Sequence, residues 1–291
     1  MMIGGGCRPT PPPAVPSGTQ PTAAPARIPQ RIISISPDAT EIIVGLGETR
    51  RLVAVTTFCL LPPDAGNLPR VGGLFDPDLE TIIRLRPDLI ILRGRNEGVE
   101  RLCAERGFRL YHDPTERLDD IFRTIRELGE ILDRRSEADV LARHLRQRLD
   151  RIASAVAGRP RPRVFVTIAR NPDSLANILT AGRATFVHDM IDLAGGENVF
   201  ADLAMDYPQI SPEAILAARP DVIIEAMPER EPSDALQQDV LRLWRGLGPV
   251  PAVQQGRVYV LTDDHALIPS PRVADIITQI ARWLHPEITI D

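Results

Sequence analysis

Lysine is missing altogether: all 34 basic residues of this 291-residue chain are arginine. That excludes Schiff-base chemistry and any phosphate loop built on a lysine. Cysteine is scarce, with Cys7, Cys59 and Cys103 only. Three are too few for a disulfide scaffold, and no CxxC spacing suggests structural zinc. Cys59 and Cys103 stand either as one disulfide or as two buried thiols. No stretch approaches the ~18 consecutive apolar residues of a membrane span. The sequence holds no GxGxxG, GxxxxGK[ST] or GxSxG, and Gly72-Gly73-Leu-Phe is a turn of another kind. A two-lobed nucleotide- or cofactor-dependent enzyme is therefore the weaker alternative. The five histidines form no HxH or HExxH pair, which disfavours a receptor for bare zinc. A net charge of −5 argues against a nucleic-acid partner, whose phosphates need counter-charge.

Hydrophobic residues make up 43% of the chain and charged residues 25%, a globular composition with material for a substantial core. Residues 1–29 stand apart from this. Positions 8–29 carry eight prolines among Ala, Thr and Ser, so the segment reads as an extended or disordered tether. Gly4-Gly5-Gly6-Cys7 directly before it resembles the cleavage site of a bacterial lipoprotein, with Cys7 as the lipidated residue. The charged and apolar regions of a signal peptide do not precede it.

From Ile32 onward, short β-branched runs alternate with amphipathic stretches, the pattern of βα units and largely parallel sheets. Strands are expected at 32–36, 52–56, 89–92, 109–112, 164–168, 222–225 and 258–261. The pattern is also written twice. Arg31-Ile-Ile-Ser-Ile-Ser36 returns 132 positions later as Arg163-Val-Phe-Val-Thr-Ile168. Asp78-Leu-Glu80 leading to Pro87-Asp-Leu-Ile-Ile91 is answered by Ser211-Pro-Glu213 leading to Pro220-Asp-Val-Ile-Ile224, with eight positions from Glu to Asp in both copies. The fold class is α/β: two Rossmann-like lobes, at 30–133 and 159–291. Between them, 134–158 reads as one long helix beginning near a Ser136/Asp139 capping box. Two lobes imply a ligand cleft beyond the carboxyl ends of the strands.

Pro37-Asp-Ala-Thr-Glu41, Phe58-Cys-Leu-Leu-Pro-Pro63, Pro69-Arg-Val-Gly-Gly73, Arg86-Pro-Asp88, Ala194-Gly-Gly-Glu-Asn198, Tyr207-Pro-Gln-Ile-Ser211, Gly256-Arg-Val-Tyr259 and Ser270-Pro-Arg272 carry a resemblance. In order and spacing they resemble the helical-backbone substrate-binding proteins of ABC importers for vitamin B12, ferric siderophores and haem. The corrinoid branch is nearest, and the resemblance covers residues 31–286. It implies a non-enzymatic, extracytoplasmic monomer that captures a cobalt corrinoid or iron chelate. Such a protein has no cofactor or metal of its own, and hands its ligand to a permease dimer with ATPase subunits. Its only membrane contact would be a lipid on Cys7.

The same resemblance implies that Glu80 and Glu213, one per lobe, meet permease arginines on docking. As first-turn acids they also suit the helix dipole. It places Phe58 and Tyr207 on the corrinoid cleft and an acid, Asp263 or its neighbour Asp264, against ligand amides. Two expected cleft tryptophans are Leu74 and Arg93 here, and an expected late arginine has no equivalent in Asp263–Pro271. Arg93, Arg95 and Arg170 instead follow strands at the cleft end, where guanidinium groups would suit an anionic siderophore or haem propionates. His265, in the last cleft loop, is a candidate ligand to the chelated metal or donor to its periphery.

Overall fold

The computed structural model describes residues 27–228 and 230–290. Cys7 and nearly all of the proline-rich segment lie outside the described residues.

The first sheet is formed by β1 (Ile32–Ile35), followed by α1 (Pro37–Gly45), then β2 (Leu52–Val55), α2 (Leu79–Leu85), β3 (Leu89–Arg93), α3 (Glu97–Arg106) and β4 (Arg109–Asp113). Two antiparallel-packed helices follow, α4 (Leu118–Ile131) and α5 (Arg135–Val156). The second half contains β5 (Arg163–Thr167), β6 (Ile178–Leu179), α6 (Phe186–Leu193), β7 (Glu197–Asn198), β8 (Gln209–Ile210), α7 (Pro212–Ala218), β9 (Val222–Ala226), α8 (Asp234–Arg245), α9 (Pro251–Gln254), β10 (Val258–Leu261) and α10 (Val273–Leu284).

Both main sheets are parallel, in the orders β2-β1-β3-β4 and β7-β5-β9-β10. Taken from each lobe's own first strand, these are the same topology. The repeat in the sequence is thus a repeat of connectivity. Its closing device is also repeated. Arg86 and Arg219 end α2 and α7 in the left-handed region, at φ 47° and 48°. A proline follows each, which disfavours right-handed helix at the preceding residue. The next aspartate then catches the backbone at the start of the lobe's first strand. Asp88 accepts from the Gln30 and Arg31 amides, both at 2.8 Å, and Asp221 accepts from the Arg163 amide at 2.9 Å. Asp221→Ala is expected to lower stability by about 1–2 kcal/mol, the net worth of a charge-assisted bond at a half-buried site. A shift of the urea midpoint at unchanged slope measures it, and an unchanged midpoint rejects the clamp.

Alternation along the strands divides the core into three. Ile32, Leu89, Ile91, Val164, Val166, Val222 and Ile224 point into one cluster shared with α1, α4, α5, α6 and α10. The intervening strand residues face private clusters: Ile33, Ile35, Ile90 and Leu92 under α2 and α3, and Phe165 and Ile223 with Trp244 under α8. The 22-residue α5 is about 33 Å long at ~1.5 Å per residue, and buries Ala138, Leu145, Leu149, Ile152 and Val156 along one stripe. Its start differs from the expectation. Arg134 is the N-cap residue, and the Ser136 hydroxyl bonds the Glu137 carboxylate rather than capping the helix. Cys59 and Cys103 are two free, buried thiols in different clusters.

Two ion pairs tie one half directly to the other. Arg272, at the start of α10, grips the buried Glu41 of α1 with two N–H groups. Arg117 grips Asp189 of α6, which also accepts from the Leu118 amide at 2.9 Å and so caps α4 from the opposite lobe.

Candidate functional site

Ser36, Asp78 and Ser211 show how helices start here. Each has extended backbone and accepts from the amide three residues on, as an N-cap does. At Ser36 this turn presents Pro37 and Asp38 at the carboxyl end of β1. Gly72 makes a second tight turn: its φ is +89°, and a Cβ there would stand 2.7 Å from the Asp76 carbonyl. A Cβ on Gly73 would meet the Asp76 carboxylate at 2.4 Å. The two glycines let the chain fold back so that Leu74 and Phe75 project beyond the sheet.

These segments form one wall of a cavity of about 450 Å³. Pro37, Asp38, Leu74, Phe75 and Arg93 come from the first lobe; Ile168, Phe186, Val187, Tyr207, Leu267, Ile268 and Pro269 come from the second. The lining is mostly apolar and aromatic. Phe75 is 91% exposed, so the mouth carries a large hydrophobic face to water. An exposed phenylalanine at the rim of an apolar cleft suits a flat, largely apolar ligand.

Charge is concentrated at one point on the wall. Arg93 Nη1 donates to Asp38 Oδ2 at 2.8 Å, and Asp38 is fully buried. Behind it, the Ser36 hydroxyl lies 2.7 Å from both Asp38 Oδ1 and Asp113 Oδ2. Asp113 also accepts from the Thr115 hydroxyl at 2.7 Å. Burial, with the Asp113 charge beside it, pushes the Asp38 carboxyl up to about 8. Asp113 stays below the usual range because hydrogen bonds from Asp38, Thr115 and Ser36 favour its ionised form over the cost of burial. Burial raises the Tyr207 phenol.

Of the residues expected at the cleft, Leu74, Arg93 and Tyr207 share this cavity. Phe58 is 53% exposed, and its ring lies against Gly73 rather than on the cavity wall. The other expectations need correction. Arg95 points to solvent and pairs with Glu100 at 2.9 Å, one turn into α3. Arg170 is buried, with Nε 2.6 Å from Glu225 Oε1 and Nη1 on the carbonyls of Asn171 and Pro172, so its charge serves the second lobe's interior. Asp263 lines a separate groove between α5 and α10, beside Arg148 and Asp275. His265 is buried, with Nδ1 3.0 Å from Asp264 Oδ1; its loop reaches the cavity through Leu267, Ile268 and Pro269 instead.

The sequence reading passed over Asp38, Phe75, Phe186 and the Leu267–Pro269 run. Asp38 reads as an ordinary first-turn helix acid, and Phe75 as part of a glycine turn. Among the described residues there is no group of three or more His, Cys, Asp or Glu side chains able to hold a metal ion. What this lining offers a ligand is shape, apolar contact and one cation, Arg93.

Glu80 and Glu213 lie outside the cavity. Each is the second residue of its helix, solvent-exposed, and they occupy equivalent places in the two lobes. The Glu213 carboxyl is held below the usual range by its own backbone amide and the Ser211 hydroxyl.

A family model described as periplasmic binding protein matches residues 32–265. A vitamin B12-binding protein of Vibrio cholerae is 32% identical over 258 residues, covering 88% of this chain and 89% of that one. Among solved structures, the periplasmic vitamin B12 binding protein of Vibrio cholerae superposes with a TM-score of 0.74 at 30% identity, covering 88% of this chain and 97% of that one. A periplasmic heme binding protein from Pseudomonas aeruginosa superposes with a TM-score of 0.77 at 29% identity, covering 90% and 94%.

Proposed function

The chain belongs to the periplasmic binding protein family, and from that premise we propose that it captures a metal chelate, vitamin B12 or another corrinoid, for an ABC importer. The observation that carries this reading is the mostly apolar cavity contributed by both lobes, with Leu74 and Phe75 opposite Tyr207 and Phe186. A macrocycle with broad apolar faces gains most from such walls, since aromatic side chains supply contact area at low entropic cost. The protein itself performs no chemistry and has no resident cofactor; it is a monomer that delivers its cargo to a permease dimer with its ATPase subunits. Glu80 and Glu213 are the docking charges. No helix among the described residues is long and apolar enough to cross a membrane. On this proposal a lipid on Cys7 holds the protein at the outer face of the cell membrane, with the proline-rich segment as spacer.

A second reading, haem, is favoured by one observation: the wall's cation is Arg93, whose planar fork matches a propionate. Titrating residues 27–291 with cyanocobalamin, a ferric catecholate siderophore and haem separates the readings. Trp283, stacked on Tyr259 at 4.9 Å between ring centroids, and the buried Trp244 report through quenching of their fluorescence. Saturable one-to-one binding of cyanocobalamin is the expected result. Preference for haem selects the second reading, and binding of no chelate removes both.

A further inference from the structure

The bonds around Ser36 fix a proton count. Its Oγ accepts from the Ala39 amide at 3.0 Å and lies 2.7 Å from a carboxyl oxygen on each of Asp38 and Asp113. A hydroxyl has one hydrogen to give, so it donates to one carboxylate only. The other carboxyl must bring the hydrogen for its own 2.7 Å contact. Ser36 Oγ then donates one bond and accepts two, and every lone pair is used. The two acids therefore hold one proton between them, and with Arg93 the cluster is neutral.

That neutrality sets the terms on which the guanidinium can serve a ligand. Arg93 lines the cavity with its side chain 20% exposed, and its partner Asp38 is also on the cavity wall. A ligand carboxylate that takes Arg93 removes Asp38's counter-charge. With the shared proton present, the acid pair left behind carries a single negative charge held by Ser36, Thr115 and Thr124. Without it, two buried carboxylates would face each other uncompensated, a cost of the kind that makes one of a carboxyl pair keep its proton. The other groups facing the cluster are Glu116, exposed in the loop before α4, the Tyr111 phenol of β4 beside Asp113, and the Tyr207 phenol from the opposite lobe. None of them supplies a second cation.

We propose that Asp38 and Asp113, sharing one proton through Ser36, form an exchangeable counter-ion for Arg93, so that the cleft accepts a carboxylate-bearing metal chelate by swapping the chelate's carboxylate for Asp38 and takes up a proton from solvent whenever the pair lacks one. This rests on the chelate-capture reading and deepens its anionic branch. Asp38 and Asp113 are positioning residues here; Arg93 is the residue that touches ligand.

The direction of the pH dependence follows. Asp38 releases its proton at about 8. Below that pH the pair is already protonated and binding takes up little. Above it the ionised Asp38 holds Arg93 more firmly, and capture must first restore the proton. Haem affinity is expected to be flat up to about pH 7 and about tenfold weaker at pH 9, with close to one proton taken up there. Cyanocobalamin has no free side-chain carboxylate, so it serves as the pH-insensitive control. Calorimetric titrations in two buffers of different ionisation enthalpy give affinity and proton count together. Asp38→Asn should flatten the haem profile.

A profile that is flat in the parent protein, or equally steep in Asp38→Asn, overturns the exchange. Binding of cyanocobalamin alone overturns it too, while leaving chelate capture intact; binding of neither probe overturns both. A ligand-free measurement keeps the test open if Asp38→Asn does not fold. Carboxyl carbon resonances of the parent protein should show one of the two acids neutral at pH 7, and Arg93→Gln should move its titration upward. Two ionised carboxyls at pH 7 would sink the proposal.

Discussion

Replacing Arg170 by methionine is expected to cost about 3–5 kcal/mol of folding stability near neutral pH, the range for stripping one partner from a buried ion pair. Arg170 and Glu225 have side chains only 4% and 2% exposed, and Nε lies 2.6 Å from Oε1. The other Glu225 oxygen accepts from Trp244 Nε1 at 2.7 Å, and Trp244 is fully buried at the centre of the second lobe's private core. Methionine fills most of the volume but leaves a carboxylate whose remaining partner is one indole N–H.

The pH dependence distinguishes this from a packing defect. Burial already raises the Glu225 carboxyl, and loss of Arg170 raises it further. A carboxyl raised in the folded state destabilises as pH climbs from its unfolded value toward its folded one, because folding must then bury the charge or take up a proton. The deficit is expected to be smaller at pH 5 than at pH 8. Arg170→Met with Glu225→Gln removes the charge while keeping an acceptor for Trp244, and should recover much of the loss. Urea unfolding at both pH values measures all three proteins. An equal deficit at the two pH values, or no recovery in the double variant, would reject the ion-pair account.

On the docking role proposed above, reversing Glu80 and Glu213 together is expected to reduce importer-dependent uptake about 100-fold or more, since each reversal would replace attraction with a like-charge contact costing several kcal/mol. The two carboxylates stand at the second position of α2 and α7, outside the cavity, so Glu80→Arg and Glu213→Arg should leave chelate affinity unchanged. Single reversals are expected to fall between. Uptake of labelled cyanocobalamin into membrane vesicles carrying the partner importer, beside a solution titration, provides both readings. Uptake that survives the double reversal removes the docking role; lost affinity in solution would place these residues on the ligand instead.

How much of this could be read without coordinates depends on the distance over which each signal acts. Ile32–Ile35, Leu89–Arg93 and Val222–Ala226 declare themselves because buried parallel strands are continuous β-branched runs. The paired Arg-Pro-Asp segments reveal the repeat because a left-handed residue, a proline and an amide-catching aspartate are a local requirement met twice. By contrast β6, β7 and β8 are two residues each, too short for any period to show. The arginines teach the sharper lesson. Arg93 ends β3, Arg95 and Arg170 stand two and three residues beyond β3 and β5, and sequence gives all three the same aspect. Arg95 meets Glu100 five residues on, Arg93 meets Asp38 from 55 residues away, and Arg170 is taken into the core by Glu225. Where a charge is spent is decided by partners the fold brings in, so only the cavity could separate them.

The shared inner core has a thermodynamic consequence. One continuous cluster runs from Ile32 of the first sheet through α4 and α5 to Leu284 of α10. Neither lobe can shed its inner packing without exposing apolar surface on the other. The halves that duplicate each other in connectivity are therefore not independent folding units. A ligand seated between them adds its binding free energy to a single cooperative whole, and damage on the inner face of one lobe is charged to the stability of both.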